Sequence, residues 1–285
     1  MTEDQGRPDA PTGPGAPIDA YSVVVLSHNE EQVLGRCLRS LRLVRDVHVL
    51  DSGSTDGTEA VARHAGARFT TRVPPGGFVI TEQRNWGLAN LPLAEWVLFL
   101  DSDEVATEDF LRAVERAVVV AAPGQDGFWT CPKFMYQGTW LRRYMGFPNW
   151  HPRVMRRGVR LTGDVWESFP DQCQAGFIRV PYIHYANARG LEDWVGRHLR
   201  YALHEGSVSA TRRGVPGEKR ATRRRLARMA GPARPFLVLG YHLVVRRGAL
   251  DGGAVWSYAR RHMLYELMIS EASRQAGRDL RGAPR

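Results

Sequence analysis

The sequence predicts an α/β fold in which a mostly parallel sheet is flanked by helices and is followed by a helical C-terminal extension. Over the first hundred residues, runs of β-branched and apolar residues alternate with apolar positions at helical spacing. After residue 190 the spacing is mainly helical. The chain has 285 residues, 43% of them hydrophobic, which is enough to bury one substantial core.

The N-terminal segment, residues 1–19, is rich in Pro and Gly and has almost no large apolar side chains. Such a segment cannot recover the entropy lost on ordering, so we expect a disordered lead-in. The segment lacks the apolar stretch after basic residues that a secretory signal has. The three cysteines are odd in number and scattered, so we expect a protein of the reducing cytoplasm. We expect an α/β domain over 20–190 and a basic, mainly helical region over 191–285.

The first elements form two successive strand–loop–helix units. Residues 21–27 form an apolar strand, and residues 31–44 repeat apolar positions at helical spacing. Residues 47–50 form a second strand, and a turn of small residues leads into a helix over 59–64. This alternation is typical of a parallel sheet with crossover helices.

The later elements begin with a predicted helix over 82–89. Residues 96–100 (WVLFL) are fully apolar, as in a strand buried on both faces of a parallel sheet. Beyond residue 122, short aromatic-rich runs predict strands over 127–136, 159–163 and 177–182.

Polar clusters follow three of the predicted strands, at residues 27–31 (SHNEE), 51–56 (DSGSTD) and 101–104 (DSDE). Open α/β sheets bind ligands beyond the carboxyl ends of their strands. We therefore expect the three clusters to lie together at one edge of the sheet and to form the binding site.

Two carboxylates, Asp101 and Asp103, follow the apolar strand directly. Their hard oxygen atoms suit Mg²⁺ or Mn²⁺, and the same cation could coordinate two phosphates. A lone D-x-D is weak evidence, because acidic turns that cap helices are common.

The formal net charge of +9 is unevenly distributed. Residues 191–285 carry 19 of the 39 basic and 8 of the 30 acidic residues, which leaves 20 basic and 22 acidic residues in 1–190. Because the basic excess belongs to the tail alone, we expect no nucleic-acid partner.

An apolar stretch over 236–245 lies in this basic region, with arginines on both sides. It has about half of the roughly 20 residues that a membrane-spanning helix needs. It fits a helix lying in the plane of an anionic membrane surface, which would place the protein at the inner face of the cell membrane. The alternative is a helix packed on the protein's own α/β domain.

Four ordered motifs resemble glycosyltransferase family 2. They are Ser27-His-Asn-Glu-Glu, Asp51-Ser-Gly-Ser-Thr-Asp, Gln83-Arg-Asn-Trp-Gly and Asp101-Ser-Asp-Glu. The chain looks closest to the branch that contains the lipopolysaccharide-core β-1,4-glucosyltransferases. Four further segments resemble that branch, namely Asn149-Trp-His-Pro-Arg-Val-Met-Arg-Arg-Gly, Val165-Trp-Glu, Ile183-His-Tyr and Gly248-Ala-Leu-Asp-Gly-Gly. The resemblance therefore covers roughly 20–270.

The resemblance implies a GT-A fold and a metal-dependent, inverting hexosyltransferase that uses Mg²⁺ or Mn²⁺. The implied donor is a nucleotide diphosphate sugar, a UDP-sugar in particular. The implied acceptor is a hydroxyl of a surface glycan, a glycolipid or a natural product, so the acceptor is a carbohydrate or a lipid-linked molecule.

The resemblance also assigns donor-site residues. Asp51 would contact the uracil or ribose, and the loop with Ser27, Asn29 and Glu30 would complete the base pocket; the alternative for Asp51 is to cap its own turn. Arg84 would lie near the base or the diphosphate, where a guanidinium matches phosphate oxygens.

For the DSD motif, the resemblance places Asp101 and Ser102 on the ribose side and Asp103 on the metal. His184, after the last predicted strand, would be a further metal ligand, although a histidine at a strand end is often structural.

By the same resemblance, Glu167 is the candidate base that deprotonates the acceptor hydroxyl. This chain has Trp166 where the family branch has His. The alternative for Glu167 is a structural role, paired with a nearby arginine.

The sequence leaves two other functions open. A sugar-phosphate nucleotidyltransferase shares the α/β layout and acidic metal ligands, but it would carry a Gly-rich loop where this chain has SHNEEQ. A non-enzymatic basic module that binds nucleic acid through 211–247 would show steeply salt-dependent binding and no donor turnover.

Overall fold

The computed structural model describes residues 15–75, 78–163, 167–186, 190–211 and 233–282. Most of the predicted lead-in and the arginine-rich run 223–228 lie outside the described residues. The chain forms two compact units, Met1–Cys131 with Trp150–Ile183, and Pro132–Asn149 with His184–Arg285. The predicted domain limits at residues 20 and 190 stay a prediction.

The first unit contains a seven-stranded sheet in the order β10-β6-β9-β4-β1-β2-β3. Its strands are β1 (Ser22–Ser27), β2 (Val47–Asp51), β3 (Arg68–Thr71), β4 (Trp96–Asp101), β6 (Gln125–Thr130), β9 (His151–Arg156) and β10 (Gln174–Phe177). The short strand β5 (Glu104–Val105) follows β4 in the chain and is not part of this sheet. Its helices are α1 (Glu31–Ser40), α2 (Thr58–His64), α3 (Ile80–Asn90) and α4 (Glu108–Val119). Neighbouring strands are parallel except at β9, which pairs antiparallel with β4 and β6.

Helices cover both faces of this sheet, as the alternation along β1 shows. Val23 and Val25 pack into a core shared with α1 and α4, whereas Val24 and Leu26 pack into a second core that contains residues of α3. A strand buried on both faces reads as a continuous apolar run, which is why β1 and β4 were predicted. The predicted fold class, an α/β fold with a mostly parallel sheet flanked by helices and with C-terminal helices, is confirmed.

The packed part of the first unit begins before residue 20. Ile18 is fully buried in the core. Its backbone N–H donates to the carbonyl of Leu43 at 2.6 Å, and its carbonyl accepts from the N–H of Arg45 at 2.9 Å. Ile18 and these two hydrogen bonds thus help to anchor this segment to the unit.

Two of the strands predicted after residue 122 are wrong. Residues 159–163 form no strand beyond an isolated bridge between Thr162 and Ser168. The predicted strand over 177–182 is instead the end of β10 and the start of β11 (Tyr182–Tyr185), with a connection between them. The apolar residues of that connection are buried by the core, as Ile178 shows, without forming a ladder.

The second unit is mainly helical. Its elements are β7 (Pro132–Tyr136), β8 (Thr139–Trp140), α5 (Arg142–Met145), α6 (Gly190–Thr211), α7 (Arg234–Gly240), a π-helical segment (Tyr241–Val245), a 3-10 turn (Gly248–Asp251) and α8 (Ala254–Gly282). The chain enters this unit at Pro132, leaves it after Asn149 and enters it again at His184, within β11. No described helix is both long and apolar enough to cross a bilayer.

Helices α6 and α8 pack closely, and Gly206 permits it. A Cβ atom at Gly206 would lie 2.5 Å from the Cβ of Ala272, closer than real side chains approach. Beside this contact, the phenol of Tyr265 donates to Glu205 at 2.7 Å. The helix pair is therefore held by close packing and by a hydrogen bond between partly buried side chains.

The segment Gly248-Ala-Leu-Asp-Gly-Gly has a structural role in the second unit. The Asp251 carboxylate accepts the backbone N–H groups of Arg143 and Tyr144, both at 2.8 Å, and so caps α5. A Cβ atom at Gly248 would lie 2.9 Å from the Cα of Tyr144, so only glycine allows this approach. The motif thus joins the 3-10 turn to α5.

The free energy of unfolding should fall in acid because the pKa of His198, on α6, is lowered in the folded chain. Its ring stacks on Trp194 at 4.1 Å, and burial lowers its pKa from 6.5 to about 4. Between pH 4 and pH 6.5, the unfolded chain therefore binds more protons than the folded chain. The stability that the buried, neutral His198 allows is present above pH 6.5 and is lost as the pH falls toward 4. Urea unfolding at pH 7.5 and pH 5 should show a loss of about 2 kcal/mol from this residue.

The control for this measurement is on the same helix. His198→Gln should reduce the difference between the two pH values by about that amount, whereas His204→Gln, at an exposed position, should leave it unchanged. Equal pH dependence in the wild type and His198→Gln would refute the assignment.

Candidate functional site

The carboxyl ends of β1, β2 and β4 are aligned by the register of the sheet. Ser27 pairs with Asp51 across β1 and β2, and Leu26 pairs with Asp101 across β1 and β4. The first residues of the three polar clusters therefore lie at one edge of the sheet, as expected from a parallel arrangement.

The first two loops are joined by hydrogen bonds between their polar residues. Asn29, at a positive φ of 55°, accepts from the N–H of Thr55 at 2.8 Å, and its own N–H donates to Ser54 Oγ at 2.8 Å. The N–H of Glu30, the residue before α1, donates to Thr58 Oγ1 at 2.8 Å. The two loops thus form one rigid surface.

Asp51 holds this pair of loops together. Its carboxylate accepts the N–H groups of Gly53 and Ser54 at 2.8 and 2.7 Å and the hydroxyls of Ser27 and Ser54, the former at 2.9 Å. This is the turn-capping role that the sequence left open as an alternative. Contact between Asp51 and a nucleotide stays a prediction.

Arg84 connects two of the predicted site residues. It lies on α3 and is fully buried; its Nη2 donates to Asp101 Oδ1 at 2.7 Å, and its Nη1 donates to Glu167 Oε2. Arg84 and Glu167, 83 positions apart in sequence, are thus joined by this guanidinium group. The planar, forked guanidinium is suited to hold two carboxylates at once.

The charge of Arg84 is stabilised by these partners. Burial alone would lower its pKa, but attraction to Glu167 and then to Asp101 outweighs burial and raises the pKa. The side chain also lies over the ring of Phe99, with 5.6 Å from Cζ to the ring centroid. The predicted contact of Arg84 with the base or diphosphate stays a prediction; in this structure its partners are carboxylates.

Glu167 has one bonded and one unbonded oxygen. Its side chain is 8% exposed, and Oε2 is engaged by Arg84. Oε1 is buried and has no hydrogen-bond partner among the described residues. Buried polar atoms are nearly always paired, so an unpaired carboxylate oxygen calls for an explanation. The neighbouring Val165 and Trp166 lie outside the described residues.

Two further charged residues of this cluster, Arg153 and Glu104, received no role from the sequence. Arg153 Nη2 donates to Asp101 Oδ2 at 2.7 Å and to Glu104 Oε1 at 2.9 Å. Glu104 Oε2 accepts the backbone N–H of Asp101 at 2.8 Å, which closes the DSD turn. Burial, and next the charge of Asp101, raises the pKa of Glu104 well above its usual value.

A sequence signal existed for Glu104 but not for Arg153. Arg153 lies in the middle of the buried segment Pro152–Met155 of β9, where an arginine needs a carboxylate partner. Glu104 is the last residue of the DSDE cluster. The sequence did not show that Arg153 and Glu104 are partners, because they lie 49 positions apart in the chain.

Asp103 and Ser102 form the turn between β4 and β5, and Ser102 is buried while Asp103 is partly exposed. Both oxygens of Asp101 are engaged by arginines. The role of Asp103 as the metal ligand stays a prediction. Among the described residues, no group of three His, Cys, Asp or Glu side chains is arranged to hold a metal ion.

His184, the second predicted metal ligand, belongs to the second unit, at the end of β11. Its ring lies 5.1 Å from the ring of Phe134, centroid to centroid. Its role as a ligand stays a prediction.

A family profile matches residues 22–185, which is more than half of the chain. The family is described as Glycosyl transferase family 2. The match contains the aligned strand ends of β1, β2 and β4 and the cluster around Arg84.

Several known proteins are similar to this chain. An uncharacterized glycosyltransferase of Rickettsia felis is 29% identical over 112 residues, which cover 39% of this chain and 38% of the relative. The lipopolysaccharide core biosynthesis glycosyltransferase LpsC of Rhizobium meliloti is 40% identical over 50 residues, 18% of this chain and 17% of LpsC. A solved structure of glucosyl-3-phosphoglycerate synthase from Mycobacterium tuberculosis, in complex with Mn²⁺ and UDP-glucose, has a TM-score of 0.43 and 20% identity and covers 69% of this chain and 80% of that chain.

The chain spans less than two fifths of the length of the curated relatives it matches. The similarity to them is therefore partial, whereas the family profile extends from the first strand through β11. On the strength of that profile, the chain belongs to glycosyl transferase family 2.

Proposed function

We propose that the protein is a metal-dependent, inverting glycosyltransferase. It transfers a hexose from a nucleotide diphosphate sugar, a UDP-sugar, to a hydroxyl of a surface glycan, a glycolipid or a natural product. Membership of the family supports the transferase activity. The name of the relative LpsC is in keeping with a surface-glycan acceptor.

One observation carries the proposal, namely the arrangement of Glu167. Arg84 fixes one carboxylate oxygen of Glu167 and leaves the other, Oε1, buried and without a partner among the described residues. The same guanidinium holds Asp101 of the DSD turn, so the candidate base and the candidate donor site are tied together. A base held in one orientation beside the donor is what direct displacement requires.

In the proposed reaction, Oε1 of Glu167 accepts the proton of the acceptor hydroxyl. The acceptor oxygen then forms a bond to the anomeric carbon, opposite the departing diphosphate. The bond between the anomeric carbon and the phosphate oxygen breaks, and its electron pair leaves with the diphosphate. The configuration at the anomeric carbon is thereby inverted.

On the donor side, Asp51, Ser27, Asn29 and Glu30 form the rigid loop surface that would receive the nucleoside. Asp103 would hold the divalent cation, which supplies Lewis-acid stabilisation of the leaving diphosphate when it is bound. Asp101, fixed between Arg84 and Arg153, would face the ribose with its orientation already set.

The nucleotidyltransferase alternative is disfavoured by the loop after β1. Those enzymes need a Gly-rich loop that wraps the phosphates, whereas residues 27–31 contain no glycine and are bonded to the loop 54–58. The nucleic-acid alternative rests on 211–247, of which 212–232 lies outside the described residues.

A donor screen tests the proposed activity. The full-length protein with Mn²⁺ or Mg²⁺ should slowly hydrolyse a UDP-sugar, measured as UDP release without acceptor. A chelator should abolish this release, and Asp103→Ala should reduce it at least about a hundredfold, since the cation and its ligand stabilise the leaving group.

The control variant for the screen is Asp109→Ala, which removes an exposed carboxylate six residues away and should keep full activity. Unchanged UDP release in Asp103→Ala would refute the metal assignment. If no nucleotide sugar binds in the presence of divalent ions, the proposed function itself is refuted.

A further inference from the structure

An exposed apolar stripe runs along the second unit. Helix α7 and the π-helical segment form one helical run over 234–245. Four apolar side chains on its outer side are exposed: Phe236 (64%), Leu237 (40%), Val244 (74%) and Val245 (70%). We call these four residues the apolar stripe.

The opposite side of the same run is anchored in the second unit. Arg234, Pro235 and His242 are buried. Arg234 pairs with Glu266 of α8 at 2.9 Å, and His242 Nδ1 lies 2.7 Å from the carbonyl of Tyr144. Because the polar groups of this side are bonded to the unit, the run cannot rotate to bury the stripe without breaking those bonds.

The sequence around the stripe carries positive charge. Residues 233–250 contain no acidic residue, and three arginines occur there. Arg234 is neutralised by Glu266, and Arg247, directly after the stripe, is exposed. Further along the chain, Leu250 and Trp256 are also exposed, at 66% and 52%. Apolar side chains beside basic ones, without acidic ones, match an anionic lipid surface.

We propose that the apolar stripe and Arg247 dock the protein onto an anionic lipid bilayer, with the helical run lying in the plane of the headgroups. The apolar side chains enter the boundary between headgroups and acyl chains, and Arg247 pairs with anionic headgroups. The proposal goes beyond the transferase activity and holds independently of it.

Vesicle flotation tests the proposal with the full-length protein. Vesicles of phosphatidylcholine alone are compared with vesicles that contain one quarter phosphatidylglycerol. The protein should float with the anionic vesicles and bind at least about tenfold more weakly to the neutral ones, and high salt should weaken the anionic binding. Val244→Ser/Val245→Ser should reduce binding about tenfold or more, because each change removes apolar surface from the bilayer.

Matched controls exist in the first unit. Val119 and Val120 are exposed to 68% and 78% at the end of α4, so Val119→Ser/Val120→Ser removes the same groups elsewhere and should bind as the wild type. Arg247→Gln should weaken binding to anionic vesicles, whereas Arg45→Gln, at another exposed arginine, should not. UDP release in solution should be unchanged in Val244→Ser/Val245→Ser, which separates this test from that of the transferase activity.

Several results would overturn the proposal. One is equal vesicle binding by Val244→Ser/Val245→Ser and the wild type. Another is a wild-type dimer in gel filtration that becomes monomeric in this variant, because the stripe would then face a second copy. A melting temperature that falls more in this variant than in Val119→Ser/Val120→Ser would mean that the stripe is packed inside the protein.

Discussion

Replacing Glu167 by glutamine should reduce sugar transfer by about a thousandfold and leave donor binding unchanged. The amide cannot take the proton of the acceptor hydroxyl, and general-base catalysis contributes about 10²–10⁴-fold to the rate. The change keeps the size of the side chain, and an amide oxygen can still accept from Arg84. Transfer is measured by product formation with donor and acceptor present, and donor binding by calorimetry with a UDP-sugar and Mn²⁺.

The matched control is Glu115→Gln. Glu115 is also a partly buried glutamate that pairs with an arginine, Arg112, at 2.9 Å, but it lies on α4 away from the DSD turn in sequence. This variant should transfer sugar at the normal rate. Normal transfer by Glu167→Gln would show that another group is the base, and Glu167 would then have only the structural role that was the alternative.

Replacing Arg84 by methionine should lower the free energy of unfolding by about 3–5 kcal/mol. The change leaves the carboxylates of Asp101 and Glu167 without their shared counter-charge, and an unpaired charge in a protein interior is strongly destabilising. The loss is measured by urea unfolding of the full-length protein at pH 7.5. Arg63→Met, which breaks an exposed pair with Glu59, should change stability by less than about 0.5 kcal/mol.

A second substitution keeps this test informative. Arg84→Met/Glu167→Gln removes one of the two abandoned charges, so the double variant should be more stable than Arg84→Met alone. If Arg84→Met unfolds at the wild-type urea concentration, or if the double variant is less stable than the single one, the guanidinium does not hold the two carboxylates as described.

These two experiments separate chemistry from positioning. Glu167 would act on the acceptor through Oε1, whereas Arg84 would act through Glu167 and Asp101 by fixing their orientation. Replacing a positioning residue such as Arg84 should lower stability and activity together. Replacing the base, Glu167, should lower activity alone.

The elements that the sequence predicted well are those with a clear local pattern. Strands β1, β2 and β4 are apolar runs because they are buried on both faces, and α1 shows apolar residues at helical spacing. Strand β9 was not predicted, because its sequence HPRVMR contains a proline and two arginines and resembles a polar loop. Burial of Arg153 against two carboxylates makes this strand possible.

The candidate site was predicted in part. The alignment of Ser27, Asp51 and Asp101 follows from parallel strands, and the register agrees with it. The predicted roles of Asp51 and Arg84 were nucleotide contacts, whereas their partners in the structure are loop amides and carboxylates. Local sequence shows that such residues need partners but does not show which ones they find.

By itself, the sequence determined the fold class, the edge of the sheet where the polar clusters meet and the family to which they point. Only the tertiary structure decided that Arg84 joins Glu167 to Asp101, that Arg153 and Glu104 complete the cluster, and that a stripe of apolar side chains remains outside. The physical reason is that periodicity and turn chemistry act over a few residues. Ion pairs between residues 17 to 83 positions apart depend on how the elements pack.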